Sequence, residues 1–282
     1  MLRNTGATSY SGDATAWTKP LAHGPVVAHP GRSQVVRESD CTMKILILGG
    51  TEDARQLAAQ LVKLGHDVTT SLAGRTSEPL LPEGAVRIGG FGGGDGMGNY
   101  ILSEGFERLV DATHPYAVEI KHNAVRAAEF AGVPLVRLLR PGWREPQYAF
   151  WKRVESVEAA AEALPRGARA LLTVGFSRLE PFLARTDCSF VIRTIEPPER
   201  ELPVNVTSIL ARPPYFFNGE LALLQEQGVT HLICKNSGGA QTEAKLQAAL
   251  RLRLPVFMIE RPELPPAYEV PTVGRTIAAL KL

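Results

Sequence analysis

The chain has 282 residues, 44% apolar and 21% charged, and a formal net charge of +2. That is the composition of a globular protein with one large core or two modest ones, and it excludes collagenous and wholly disordered chains. The charge is too small, and too evenly spread, to signal nucleic-acid binding, and no apolar stretch reaches the ~18 residues of a membrane helix.

Residues 1–42 are rich in Gly, Ser, Thr, Ala and Pro, show no sustained periodicity and lack the basic start and apolar run of a signal peptide. They are expected to form a disordered N-terminal extension, with Met43 as an alternative start. From Met43 the pattern changes. Ile45 to Leu48 form a continuous apolar run, as in a parallel strand buried on both faces. Gly49 and Gly50 follow, Thr51 is placed to cap a helix, and Ala54, Leu57, Ala58, Leu61 and Leu64 recur at helical spacing until Gly65. A strand that empties through a glycine turn into a helix offers backbone N–H groups and a positive dipole end to a phosphate, here at Gly49, Gly50, Thr51, Glu52 and Ala54. The spacing is not G-x-G-x-x-G, so the turn alone does not specify a dinucleotide.

The next strand, Asp67–Ser71, sharpens the reading. Enzymes that take NAD usually carry Asp or Glu at this strand end, about 20 residues after the glycines, to hold the ribose 2′-hydroxyl. Here the sequence is Ser71-Leu-Ala-Gly74-Arg75-Thr76. With no carboxylate, Arg75 and the hydroxyls of Ser71 and Thr76 are expected to receive a 2′-phosphate, which favours NADPH over NADH.

Strands are also expected at Ala85–Ile88, Arg108–Asp111 and Leu135–Leu139, with helices over Asp53–Leu64, Met97–Glu104 and Tyr116–Ala131. Strands and helices in alternation argue for βαβ units and a parallel sheet. After the third strand comes Gly89-Gly90-Phe91-Gly92-Gly93-Gly94-Asp95-Gly96, a backbone that can press against a flat or phosphorylated ligand without Cβ clashes. After the fourth comes Asp111-Ala-Thr-His114-Pro115-Tyr116. Asp111 is a candidate to fix the turn, Pro115 suits a helix start, and His114 and Tyr116 are candidate proton donors.

Pro, Gly and aromatic residues between 141 and 151 suggest a domain boundary, with one domain over 43–145 and a second over 146–282. The second half alternates again: strands at Ala170–Val174, Ser189–Ile195, His231–Lys235 and Val256–Glu260, helices near Val157–Leu164, Arg178–Ala184, Asn218–Gln227 and Ala240–Leu252. The fold class is therefore α/β, two Rossmann-like domains with mainly parallel sheets and an interdomain cleft. Ligands in such sheets sit outside the carboxyl ends of the strands. Cys234-Lys235-Asn236-Ser237-Gly238-Gly239 is a second polar glycine turn suited to anion capture, and Arg193 is a further strand-end cation. Cys41, Cys188 and Cys234 are widely spaced with no C-x-x-C, and His114 and His122 have no third ligand at a closing spacing. A disulfide framework or metal site is not expected, and a reducing cytoplasmic setting is.

Taken together, the chain resembles the precorrin-6A reductases of cobalamin biosynthesis. The resemblance is carried by Ile47-Leu-Gly-Gly-Thr51 with Ala54, Ala73-Gly-Arg-Thr76, Arg87-Ile-Gly-Gly-Phe-Gly-Gly93 and Asp111-Ala-Thr-His-Pro115. It continues through Arg140-Pro141 with Trp143, Arg193 with Pro197-Pro198-Glu199, Lys235-Asn-Ser-Gly-Gly239 with Ala244-Lys245-Leu246, and Arg261-Pro262. These blocks run in the family's order from Met43 to Leu282. No single one is specific; their order is.

The resemblance implies a two-domain NADPH enzyme that reduces the C18–C19 double bond of precorrin-6A, a large anionic tetrapyrrole-derived substrate, to give precorrin-6B. It implies that Gly49, Gly50, Thr51, Glu52 and Ala54 cradle the pyrophosphate and that Ser71, Gly74, Arg75 and Thr76 hold the 2′-phosphate. Gly90, Phe91, Gly92 and His114 would line the nicotinamide side. Arg193, Lys235, Asn236, Ser237 and Gly238 would hold substrate carboxylates, and the proton would come from His114, Tyr116, Lys235 or solvent. No metal is implied, and contacts with neighbouring pathway enzymes would be transient. The alternatives are a cobalt-containing substrate, a sugar-nucleotide epimerase or reductase marked by a Tyr-x-x-x-Lys pair, and a non-catalytic NADPH-binding module.

If Arg75 reads the 2′-phosphate, the protein should bind NADPH at least ~10-fold more tightly than NADH, since one charge-assisted contact contributes ~1.5–3 kcal/mol. Arg75→Ala should remove that preference and spare NADH affinity, as measured by titration. Equal affinities in the unaltered protein would refute the assignment.

Overall fold

The computed structural model describes residues 42–74, 78–198 and 201–281. The expectations for residues 1–41, Arg75, Thr76 and Glu199 lie outside the described residues.

The first half runs β1 (Lys44–Leu48), α1 (Glu52–Lys63), β2 (Asp67–Leu72), β3 (Ala85–Ile88), α2 (Gly94–Glu104), β4 (Arg108–Asp111), α3 (Val118–Ala131) and β5 (Leu135–Leu138). Then come β6 (Trp151–Val154), α4 (Val157–Ala163), β7 (Arg169–Thr173), α5 (Glu180–Leu183), β8 (Ser189–Thr194), β9 (Val206–Leu210) and α6 (Phe217–Glu226). The chain ends with β10 (His231–Lys235), α7 (Ala244–Arg251), β11 (Val256–Ile259), β12 (Tyr268–Val270) and α8 (Val273–Leu280).

The strands form two six-stranded sheets, ordered β12-β5-β4-β1-β2-β3 and β6-β11-β10-β7-β8-β9. Every pairing is parallel. Because strand side chains alternate between faces, β1 feeds two cores. Ile45 and Ile47 pack with α1 and α8, whereas Leu46 and Leu48 pack with α2 and α3. The second sheet repeats the device: Ala170 and Leu172 join the core under α4 and α5, and Leu171 joins that under α6 and α7. Leu57 and Leu61 on α1 are fully buried, each stabilising the fold by ~1.5–3 kcal/mol.

Residues 43–145 contribute β1 to β5 of the first sheet, and β6 to β11, all within 146–282, form the second. Although late in the chain, β12 pairs with β5, and α8 packs against α1 and β5, so both complete the first sheet. β6, which opens the second half, pairs with β11 at the edge of the other sheet. The described residues form one compact unit.

The returning β12 is fastened by buried charge. Asp111, at the end of β4, is wholly buried with Lys121 and Arg137. Lys121 Nζ donates to Asp111 Oδ1 and Oδ2 at 3.2 and 3.1 Å, and Arg137 Nε donates to Oδ2 at 3.0 Å. Arg137 Nη1 also donates to Glu269 on β12 at 2.9 Å and to the Pro265 carbonyl at 2.7 Å. Removing one partner of such a group leaves uncompensated charge in the interior. Arg137→Ala should therefore cost ~3–5 kcal/mol, read as a lower denaturant midpoint, with Arg137→Met falling in the same direction. An unchanged midpoint in both would show that the network contributes nothing.

Candidate active site

The carboxyl ends of strands from both sheets face one cleft of about 1520 Å³. One wall comes from residues within 48–56, 71–74, 88–93 and 113–123, the other from residues within 178–242.

The first wall begins at the start of α1. Thr51 Oγ1 accepts the Ala54 N–H at 3.1 Å and donates to the Ala112 carbonyl at 2.7 Å, which caps the helix and ties it to the end of β4. Gly49 is required sterically, since a Cβ there would lie 2.6 Å from Thr70 Cγ2. Gly50 adopts φ +100°, a conformation that suits glycine. The 12-residue helix thus points its N-terminus into the cleft, a geometry that fits a phosphate. Two acids, Glu52 and Asp53, sit in its first turn. Asp53 is paired by Arg140 Nη1 at 2.7 Å, which offsets the repulsion an anion would meet there. Ala54 does not face the cleft: it lies in the core, and its amide is spent on Thr51.

Ser71 and Gly74 line the cleft at the end of β2, followed by Gly90, Phe91 and Gly92 after β3. Arg87, on β3, joins these two segments. Its Nη1 donates to Ser71 Oγ at 3.2 Å and to the Gly89 carbonyl at 2.6 Å, and its Nη2 donates to the Gly90 carbonyl at 2.6 Å.

His114, Tyr116 and Lys235 all line the cleft. Asp111 fixes the turn that carries His114 and Tyr116, accepting the Thr113 N–H at 3.1 Å and its hydroxyl at 2.6 Å. The His114 surface is open to the cleft, but its ring is desolvated by the walls and faces the cations Arg140, Lys235, Lys121 and Arg261. Burial first, then these charges, hold its pKa down at about 3. Its Nδ1 accepts the Tyr116 N–H at 3.3 Å, which assigns the proton of the neutral ring to Nε2. The neutral ring of His114 is thus favoured at neutral pH, with Nε2 as its hydrogen-bond donor.

The Tyr116 hydroxyl is engaged on both sides. It donates to the Ile259 carbonyl at 2.5 Å and accepts the Asn236 N–H at 2.8 Å. Burial raises its pKa above the ordinary tyrosine value. The proton is committed to the second sheet, so Tyr116 fastens the two walls together. Lys235 Nζ donates to the Val174 carbonyl at 2.6 Å and lies 5.3 Å from the Tyr116 ring centre.

Of the expected carboxylate-binding residues, Lys235 and Gly238 line the cleft. Arg193, Asn236 and Ser237 do not. Arg193 is buried in an ion pair with Glu220 and stacks on Tyr215, 3.6 Å from its ring centre. Asn236 Oδ1 accepts the Trp143 N–H at 2.7 Å. The Ser237 carbonyl is held by Arg140 Nε at 2.9 Å and by Arg261 Nη2 at 3.2 Å. Spacing along the chain cannot tell a strand-end cation that faces the ligand from one that faces a helix.

The cleft cations that sequence reasoning missed are Arg55, Arg140, Arg178 and Arg212. Arg140 just follows β5, and its strand-end position in the first sheet was the available signal. Arg212 Nη2 donates to the Glu78 carbonyl at 3.1 Å, linking the two halves near the cleft. The Tyr-x-x-x-Lys spacing of sugar-nucleotide epimerases does occur, at Tyr148 and Lys152, but neither residue lines the cleft. Tyr148 is exposed and Lys152 lies over Phe257, so that rival loses its catalytic pair.

The depressed His114 pKa has a pH consequence. Between the ordinary histidine value of 6.5 and about 3, the unfolded chain binds this proton and the folded chain does not, so stability falls as pH drops through that window. The His114 ring should show no NMR titration between pH 5 and 8, and His114→Gln should lose less stability than the parent between pH 7 and 5. A ring that titrates near pH 6.5 would refute the neutral assignment.

The sequence profile of the family described as Precorrin-6x reductase CbiJ/CobK matches residues 44–281. Precorrin-6A reductase from Rhodococcus erythropolis is 46% identical over 228 residues, 80% of this chain and 92% of that protein. Cobalt-precorrin-6A reductase from Priestia megaterium is 32% identical over 234 residues, 78% of this chain and 91% of that protein. The solved structure of CobK precorrin-6A reductase superimposes with a TM-score of 0.82 at 38% identity, covering 85% of this chain and 96% of that one. The chain belongs to the precorrin-6x reductase family.

Proposed function

We propose that the protein reduces the C18–C19 double bond of precorrin-6A, with NADPH as reductant, to give precorrin-6B in cobalamin biosynthesis. The observation that carries this reading is the shared cleft, with a phosphate-suited helix N-terminus on one wall and cations on the other. Its volume of about 1520 Å³ exceeds the ~300–1,000 Å³ of ordinary ligand pockets, as a dinucleotide and a macrocycle together require.

Bound NADPH would supply the hydride. The protein positions and charges the site. Gly49, Gly50, Thr51 and the first turn of α1 receive the pyrophosphate; Ser71 and Gly74, with Arg75 and Thr76 from the sequence, receive the 2′-phosphate. Phe91, its neighbouring glycines and His114 line the nicotinamide side. Lys235, Arg178 and Arg212 face the substrate's carboxylates, for which charge-assisted bonds are the strong contacts. The neutral His114 offers a hydrogen bond, and Lys235 or solvent provides the proton. The greater identity to the Rhodococcus protein than to the Priestia one favours a cobalt-free substrate.

Purified protein with NADPH and precorrin-6A should oxidise the cofactor with formation of precorrin-6B; no turnover with precorrin-6A or its cobalt form would refute the reading. Lys235→Ala separates two roles. If Lys235 holds a carboxylate, substrate affinity should fall by ~1–3 kcal/mol with NADPH affinity unchanged. If it donates the proton, the single-turnover rate should fall at saturating substrate. Loss of NADPH binding alone would mean that the two walls are exchanged.

A further inference from the structure

We infer that Arg87 is a positioning residue that holds the cofactor wall in its binding shape. The inference rests on the reading that this wall receives a dinucleotide. Six glycines lie between Gly89 and Gly96, and Gly89, Gly92 and Gly93 take φ values of +120°, +78° and +96°. Such a segment has a large conformational entropy to lose and few side chains with which to hold itself. Arg87 supplies what it lacks. Its fork binds two consecutive loop carbonyls, Gly89 and Gly90, each at 2.6 Å. The guanidinium carbon lies 3.8 Å from the Phe91 ring centre and 5.2 Å from that of Tyr100. Nη1 also reaches Ser71 Oγ at 3.2 Å, so one side chain sets the end of β2 and the loop after β3 in register with each other.

Arg87 does not line the cleft, whereas Ser71, Gly89, Gly90 and Phe91 do. It therefore acts through them. A planar guanidinium can hold two carbonyls and stack on a ring at once, and an ammonium cannot. Preorganising a binding wall raises affinity by reducing the ordering cost on binding. Arg87 thus serves NADPH and NADH alike through the loop, and bears on the 2′-phosphate only through Ser71.

The test compares Arg87→Ala and Arg87→Lys with the parent protein. Dissociation constants for NADPH, NADH and precorrin-6A are measured, along with amide hydrogen exchange of residues 89–93 without cofactor. Both variants should lose about tenfold or more in affinity for each dinucleotide, with precorrin-6A affinity unchanged and exchange in the loop faster. Full recovery in Arg87→Lys would overturn the role of the fork. Loss of NADPH affinity alone, with NADH affinity kept, would make Arg87 a direct 2′-phosphate ligand and overturn positioning, as would unchanged loop exchange. Loss of precorrin-6A affinity together with a lower melting temperature in both variants would overturn it in favour of a general structural role. If the parent binds neither dinucleotide, the cofactor reading itself fails; if the parent binds and both variants bind as well, only this inference fails.

Discussion

The geometry of the site depends on one buried carboxylate. Asp111 ends β4 without access to solvent and is compensated by Lys121 and Arg137, both equally buried. With Glu269 the cluster holds two acids and two cations, so it is formally neutral, and its directional bonds rather than its net charge decide what it organises. One arm, through Thr113, shapes the turn that presents His114 and Tyr116 to the cleft. The other, through Arg137, reaches the last strand of the chain. Site and topology therefore share a fastening.

Charge of one sign dominates the region beyond that turn. Burial, and after it the four cations around His114, disfavour its charged form, and the wall from the second sheet adds Arg178 and Arg212. Such a cleft draws anions in and disfavours a further positive charge within it. A polycarboxylate that occupied the cleft would relieve the cationic field, so the ionisation of His114 would respond to what is bound. Arg140 adds a mechanical link, touching Asp53 at the start of α1 and the Ser237 carbonyl beyond β10. Tyr116 makes a second link between the same two walls. The walls are joined by polar contacts whose geometry is fixed, rather than by a broad apolar face.

Much of this architecture was legible in the sequence because parallel strands buried on both faces read as continuous apolar runs. β1, β10 and β11 could be placed on that signal almost to the residue. The elements that escaped are β6, β9 and β12, which lie at sheet edges with half-exposed, mixed side chains, and α8, which follows the last of them. An edge strand has neither the buried run nor a clean alternation to mark it. The site shows the same limit. Glycine turns and strand ends announced the cleft, since those features are local. Whether Arg193 faces ligand or helix, and whether the Tyr116 hydroxyl is available or tied, is decided by residues far away in sequence: Glu220 in one case and Ile259 in the other.

The late return of β12 to the first sheet bears on how the molecule is made. During synthesis the first sheet can assemble five strands as soon as β5 emerges, but its sixth position must wait for residues 268–270, almost the end of the chain. Until then the flank of β5 presents unpaired backbone groups and the apolar seat of α8 stays uncovered, the kind of surface that invites wrong partners. Arg137 and Asp111 wait at that flank for Glu269. A chain terminated before residue 268 would carry a complete second sheet and an open first one. Quality control would meet a protein whose cleft residues were all present and whose scaffold was unfinished.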